Sequence, residues 1–302
     1  PARPGFSFQA GEKYSVSTAA PSGLFAQGIA DDARRALAED VGDGDLTAGL
    51  VPENRRASAA VIARERASIS GRPWFDEVFH QLNHRVVIDW RVADGGIIGV
   101  DEVVCEERGP ARAVLTGERT ALNFLQLLSA VATQARAYTD AVAGTAVRIL
   151  DTRKTIPGLR LAQKYAVTTG GAENHRIGLF DGILIKENHI AVAGGIKPAV
   201  EAAKAKGPGP LIEVEVEHLH QCEEALDAGP DRLLLDNFSV ADLSTAVATR
   251  NARAPEVHLE ASGGVTLETV RDIAETGVEF ISVGSLTKDI RAIDLSMRLN
   301  LR

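Results

Sequence analysis

The sequence predicts an α/β chain whose later half winds into a closed or nearly closed barrel behind a smaller α+β block. Three observations carry this. First, short apolar segments ending on a polar residue or Gly, "VRILD", "ILIK", "LIEVEVE", "RLLLD", "VHLEAS" and "FISVG", alternate with helical stretches. Strand-then-helix repetition implies parallel neighbours joined by helical crossovers. Second, Asp151, Lys186, Glu217, Asp236, Ser262 and Gly284 close successive segments. A barrel collects functional groups at many strand ends around one mouth, whereas an open doubly wound sheet gathers them near one switch point, so the barrel is favoured. Third, the chain before these segments has a different rhythm.

In that earlier block, Leu24, Ile29, Ala33 and Leu37 recur at helical spacing between Leu24 and Asp40. "DVGDGDLTAGLVP" breaks this helix. Strands are expected at "ASAAVIARE", "RVVIDWRV", "EVVCEER" and "ARAVLTG", with a helix at "RPWFDEVFHQLNH". From Glu118 to Ala143 the pattern is helical again, with Leu122, Leu125, Leu128 and Ala132 on one face. In the barrel half, "GIKPAVEAAKAK", "HLHQCEEALDAG", "SVADLSTAVATR" and "TLETVRDIAETG" supply the crossover helices.

Composition narrows the function classes. The 302 residues suit one large or two unequal domains. A formal net charge of -8 argues against nonspecific nucleic-acid binding, which needs a basic face. Cys105 and Cys222 form neither a CxxC pair nor a disulfide framework. No apolar run approaches the roughly 20 residues needed to span a bilayer, and no basic-then-apolar signal opens the chain. A cytoplasmic protein is expected, with the Pro-, Gly-, Ser- and Ala-rich stretch 1–22 as a flexible tail.

Against the acidic whole, the stretch Asp151 to Arg176 gathers Arg153, Lys154, Arg160, Lys164, His175 and Arg176 around two carboxylates. Arg153 and Lys154 follow a strand end, His175 and Arg176 follow a "TGG" turn, and Lys186 closes the next strand. These five are expected at one mouth, where an anion is the natural occupant. Lys164 and Arg160 lie on a helix and read better as solvated surface.

Strict alternation in "EVEVE" puts Glu213, Glu215 and Glu217 on one face, with Val214 and Val216 on the other. With the valines toward the helices, the carboxylates face the interior and need cations, metal or hydroxyl partners. Asp236 joins them one strand later, and the pair suits either Mg²⁺ or the vicinal hydroxyls of a ribose. "ASGGV" and "VGS" then place two Gly turns after the last two strands, where phosphate is commonly held. His80 and His84 lack the further ligands of a metal site, and His218 and His220 open a helix that they simply cap.

The ordered motifs "TGERTALNFLQLLSAVAT", "DTRKTIPGLRLAQKYAV", "GGAENHRIGL", "ILIKENH", "EVEVE", "LLLDNF", "EASGGV" and "VGSLT" resemble those of the quinolinate phosphoribosyltransferase family from Leu24 onward. The resemblance implies an N-terminal α/β sandwich joined to an incomplete α/β barrel. The expected domains are 23–130 with 286–302, and 131–285. It also implies transfer of a phosphoribosyl group from phosphoribosyl pyrophosphate to quinolinate with decarboxylation. The products are nicotinate mononucleotide, pyrophosphate and CO₂, in NAD biosynthesis, with Mg²⁺ and a homodimer.

By motif match, Arg153, His175, Arg176 and Lys186 would hold the two ring carboxylates, with Arg119 supplied by the other chain. Lys154 would sit near them or near the pyrophosphate. Glu215 and Asp236 would address ribose hydroxyls and Mg²⁺, each being suited to either task. Ser262, Gly263, Gly264, Gly284 and Ser285 would take the 5-phosphate, and Thr152 and Val283 complete the substrate-binding set. Lys288, after "VGSLT", has no assigned role. Nicotinate phosphoribosyltransferase is the nearest rival, but its single substrate carboxylate leaves the cations in excess. A diverged molybdenum-transport-associated homologue and a noncatalytic anion binder complete the alternatives.

Overall fold

The computed structural model describes residues 23–207 and 209–300. The stretch 1–22, expected as a tail, lies outside the described residues. In chain order the elements are α1 (Gly23–Val41), β1 (Arg56–Ala63), β2 (Ala67–Ser68), α2 (Arg72–Leu82), β3 (Val87–Trp90), β4 (Ile97–Ile98), β5 (Val103–Pro110) and α3 (Ala111–Ala141). There follow β6 (Arg148–Leu150), α4 (Arg160–Thr169), β7 (Gly182–Ile185), α5 (Glu187–Ala193), α6 (Ile196–Lys204), β8 (Leu211–Val216) and α7 (Leu219–Ala228). The chain continues through β9 (Arg232–Asp236), α8 (Val240–Arg253), β10 (His258–Ser262), α9 (Val270–Ala274), β11 (Phe280–Ser282), α10 (Ser285–Lys288) and β12 (Leu295–Asn300).

The chain forms two units, one of which comprises the described residues within 12–136, 155–171 and 286–302. Its sheet runs β12-β1-β5-β3, antiparallel throughout. Alternate residues of β1, Ala57, Ala59, Val61 and Ala63, are buried, the period-2 signature of a strand with one covered face. Helix α1 buries Phe25, Ile29, Ala33 and Leu37. In α2, Pro73 sits in the first turn, where its missing N–H costs nothing, and Trp74, Phe75, Val78 and Phe79 are buried. Trp74 donates to Asp32 Oδ2 at 2.9 Å, giving the buried indole N–H its partner.

Two boundaries differ from the sequence expectation. "ARAVLTG" is the start of α3, not a strand. Its brief alternation mimics period 2, but Pro110 is preset for a helix start and Ala, Arg and Leu favour one. Gly117 reads as a breaker, yet a Cβ there would come within 2.9 Å of Leu82 Cδ1, so its absence lets α2 and α3 approach. Residues 131–136 and 155–171, expected within 131–285, group with this first unit. Tyr165 of α4 packs on Phe25 and Trp74, with ring centroids 5.6 and 5.4 Å away.

The other unit covers 137–154 and the described part of 172–285. Its parallel sheet has six strands in the order β6-β11-β10-β9-β8-β7. Apart from the missing β6–β7 pairing, this is chain order taken around a circle. The fold is therefore an incomplete α/β barrel. Val214 and Val216 are buried while Glu213 and Glu215 take the opposite face of β8, as the alternation predicts. Flanked by β7 and β9, β8 is not an edge.

Candidate active site

Parallel strands deliver their C-terminal residues to one end, and the cavity of the barrel unit lies there. About 260 Å³ in volume, it is lined by Thr152, Arg153 and Lys154 beyond β6, Lys186 beyond β7, Glu215 of β8, Asp236 of β9, Glu260 and Ser262 of β10, and Ser282 of β11, with His175 and Arg176 from the loop before β7. Arg176 and Asp236 thus share one cavity.

The cationic wall is set by backbone geometry as well as charge. Asp181 accepts the N–H groups of Ile177 and Gly178 at 2.7 and 2.8 Å, which turns the loop. Arg176, buried in that loop, donates from Nη1 to Gly182 O at 2.9 Å. Burial and the neighbouring Arg153 guanidinium press the Arg176 pKa below its usual value. Two guanidinium groups lining one cavity favour an anion there. Lys186 forms an ion pair with Glu215 across β7 and β8.

Beneath this wall lies a buried layer of charge. His175 Nε2 lies 2.9 Å from Glu213 Oε2 and 3.6 Å from Glu260 Oε2, while Arg232 Nη1 donates to Glu260 Oε2 at 2.7 Å. The His175 amide donates to Asp151 Oδ1 and Nδ1 accepts the Arg176 N–H, both at 2.7 Å. Burial and the Glu213 charge push the Glu260 carboxyl above its ordinary pKa. At Glu213 burial is outweighed by His175 and Arg232, and the carboxyl sits below it. His175, Glu213 and Glu260 bring candidate metal-ligand atoms within 4.8 Å of one another, but the Arg232 guanidinium already supplies a cation to both carboxylates, 3.9 Å from Glu213 and 2.7 Å from Glu260.

The two Gly turns flank the cavity. Gly263 (φ +93°) and Gly264 (φ +60°) lie in the left-handed region, and a Cβ on Gly263 would come within 2.9 Å of Asn237 N. Helix α9 does not begin until Val270, so the turn and not a helix start presents its N–H groups here. At Gly284 a Cβ would lie 3.1 Å from Lys154 Cδ, which sets Lys154 beside the second turn. Tyr138 OH stands 3.4 Å from both Val265 O and Ser285 Oγ, joining the two turns.

Among the other expected site residues, Val283 is buried behind its turn. Arg119 is exposed on α3 in the first unit and does not line the cavity. Lys288 pairs with Asp289 at 3.3 Å. Lys164, read as solvated, is fully buried, because α4 is covered along Ala162 to Val167. Glu217 is exposed beyond β8 and, with Asp236, lines a second hollow of about 550 Å³. Sequence reasoning missed Glu260, Arg232 and Tyr138. Glu260 interrupts its strand between Leu259 and Ala261, a signal that was present; Arg232 opens its strand as a flank would, and Tyr138 carries no signal.

Fold and site define an α/β-barrel protein whose cavity sets the cations Arg153, Arg176 and Lys186 beside the carboxylates Glu215 and Asp236. Residues 131–298 match the family described as quinolinate phosphoribosyl transferase, C-terminal domain, and 45–129 its N-terminal domain. The chain belongs to the quinolinate phosphoribosyl transferase family. It is 42% identical over 275 residues to the nicotinate-nucleotide pyrophosphorylase [carboxylating] of Mycobacterium leprae, covering 89% of this chain and 96% of that protein. A probable enzyme of the same name from Bacillus subtilis is 40% identical, covering 87% and 90%. The solved nicotinate-nucleotide pyrophosphorylase of Francisella tularensis superposes with a TM-score of 0.88 at 43% identity, covering 91% of this chain and 97% of that one.

Proposed function

We propose that this chain transfers the phosphoribosyl group of phosphoribosyl pyrophosphate to quinolinate with loss of CO₂, producing nicotinate mononucleotide and pyrophosphate for NAD synthesis. It is then a pentosyltransferase. Family membership supports the reaction, and one observation carries the site: Arg153, Arg176 and Lys186 share a cavity with Glu215 and Asp236. The cations match a ring bearing two adjacent carboxylates, with His175 lining the same wall. The carboxylates face where a ribose would develop positive charge. Ser262, Gly263, Gly264, Gly284 and Ser285 receive the 5-phosphate, with Val283 supporting the second turn and Thr152 beside Lys154.

Catalysis in this reading is positioning and electrostatics. The pyridine nitrogen forms a bond to the anomeric carbon as the bond to pyrophosphate breaks. Glu215 and Asp236 stabilise the positive charge that develops on the sugar during that exchange. Lys154, beside Gly284, is placed to accompany the phosphates. When the C2 carboxylate leaves as CO₂, its bonding pair stays on C2, where the adjacent cationic ring nitrogen stabilises it until it takes up a proton.

The oxygen donors of Glu215 and Asp236, on adjacent strands and on one cavity wall, fit a hard cation such as Mg²⁺. When bound, Mg²⁺ would offset charge on the pyrophosphate. The working form is a homodimer in which Arg119 of each chain completes the other's site, which accords with its exposed position on α3. We place the protein in the cytoplasm; among the described residues no helix is long and apolar enough to cross a membrane. The deciding experiment incubates the protein with Mg²⁺, phosphoribosyl pyrophosphate and either carboxyl-labelled quinolinate or nicotinate. Release of CO₂ and pyrophosphate with quinolinate is expected, and their absence overturns the reading.

A further inference from the structure

The buried layer under the cavity has a feature that the reaction chemistry does not require. His175 is held at both ring nitrogens by the protein itself: Nδ1 accepts the Arg176 amide at 2.7 Å, and Nε2 faces the Glu213 carboxylate at 2.9 Å. A nitrogen that accepts an N–H bond carries a lone pair, so the neutral ring carries its proton on Nε2, the nitrogen nearest the Glu213 carboxylate. Glu213 is 1% exposed, and its other oxygen lies 3.9 Å from Arg232 Nε. Arg232 is in turn fixed by Glu260 at 2.7 Å and lies over the Phe280 ring, 3.8 Å from its centroid. The chain of contacts therefore runs from the barrel interior to Arg176, whose Nη1 is tied to Gly182 O.

We propose that Glu213, braced by Arg232 and Glu260, is a positioning residue that fixes the Nε2–H tautomer of His175 and thereby orients Arg176 toward an anionic substrate. Glu213 is not among the residues lining the cavity, and its effect passes through the imidazole. Without Glu213 the nearest carboxylate oxygen is that of Glu260, 3.6 Å from Nε2 and already bonded to Arg232, so the ring is freer to turn or to carry its proton on Nδ1. Either change breaks the bond from the Arg176 amide and releases one of the two ties on that residue. Only the substrate in this inference rests on the function proposed above.

The test separates the two. Nitrogen-15 spectra of the imidazoles, with His175 assigned by its loss in His175→Asn, are recorded on the protein without substrate. The wild type should show Nδ1 unprotonated and Nε2 protonated. Glu213→Gln retains an acceptor and should retain that tautomer, with the KM for quinolinate within a few-fold of wild type. Glu213→Leu should mix the tautomers and raise KM by roughly 10- to 100-fold, the scale of one lost charge-assisted hydrogen bond, with a smaller effect on kcat. If Glu213→Leu does not fold, Glu213→Asp withdraws the carboxylate by one methylene and should give the same readings. Wild-type tautomer and KM in the Leu or Asp variant would overturn the proposal, as would a Gln variant as impaired as either. A wild type that never binds quinolinate would instead overturn the functional reading, leaving the imidazole result standing.

Discussion

Lys186 and Glu215, one a candidate contact for a substrate carboxylate and the other for a ribose or metal, are paired with each other across adjacent parallel strands. The Lys186 side chain is 43% exposed, so the pair adds little to stability. Its energetic weight falls on binding. Lys186→Met should leave the melting temperature within a few degrees of wild type while raising the KM for quinolinate by roughly 10- to 100-fold, since the ammonium offers the ring a charge-assisted hydrogen bond. Steady-state kinetics beside a thermal melt read both effects, and an unchanged KM would remove Lys186 from the site.

The neighbouring glycines of the first turn should respond differently to the same change. Gly263→Ala must adopt a left-handed conformation and also push its Cβ into Asn237, whereas Gly264→Ala meets open space at a similar φ. Backbone strain costs about 1–2 kcal/mol at either position. The added collision at 263 should distort the turn and raise the KM for phosphoribosyl pyrophosphate well beyond the effect at 264. Urea midpoints and KM values for the two variants check this, and equal KM values would show that the turn is not read by the phosphate.

Arg153→Ala should abolish turnover of quinolinate with the far-ultraviolet spectrum unchanged, because the cations that remain on the wall do not replace the paired donors its fork offers a carboxylate. Wild-type turnover in this variant would withdraw Arg153 from the anion wall.

Much of this arrangement was legible from local pattern. A parallel strand buried on both faces ends where a polar residue appears, so "ILIK" and "RLLLD" announce Lys186 and Asp236 at the mouth. Alternation in "EVEVE" gives the direction of Glu213 correctly. What a single strand cannot reveal is which side chain meets it across the barrel. Arg232 opens its strand as a solvated flank would, yet it is 3% exposed because Glu260 and Phe280 surround it. Lys164 was misread for the same reason, since helical periodicity does not report how many sides of α4 are covered. The false strand at "ARAVLTG" shows the converse, a pattern too short to decide between two periods.

If Arg119 is supplied in trans, inactive chains should complement one another. Neither Arg119→Ala nor Arg176→Ala alone should turn over quinolinate. In a mixed dimer, the site that keeps Arg176 receives an intact Arg119 from the second copy, so one of its two sites works. Activity that appears only after subunit exchange supports the shared site. No recovery, once mass spectrometry shows that mixed dimers have formed, counts against it.

The last prediction concerns Glu107, fully buried on β5 in the first unit. Burial, with the nearby Glu118 charge adding to it, pushes its carboxyl pKa from the ordinary 4.5 up to about 8. The sign of the linkage follows from which state holds the proton. Below the unfolded value both states are protonated and the group contributes nothing to pH dependence. Between that value and about 8, the unfolded chain gives up a proton that the folded chain retains, so stability falls as pH rises. The slope from this one group is at most about 1.4 kcal/mol per pH unit. Glu107→Gln keeps the shape and removes the titration. Urea midpoints of the wild type should therefore fall more steeply than those of the variant between about pH 5 and about pH 8, in the window that the raised pKa defines. Parallel curves across that range would mean that Glu107 titrates alike in both states.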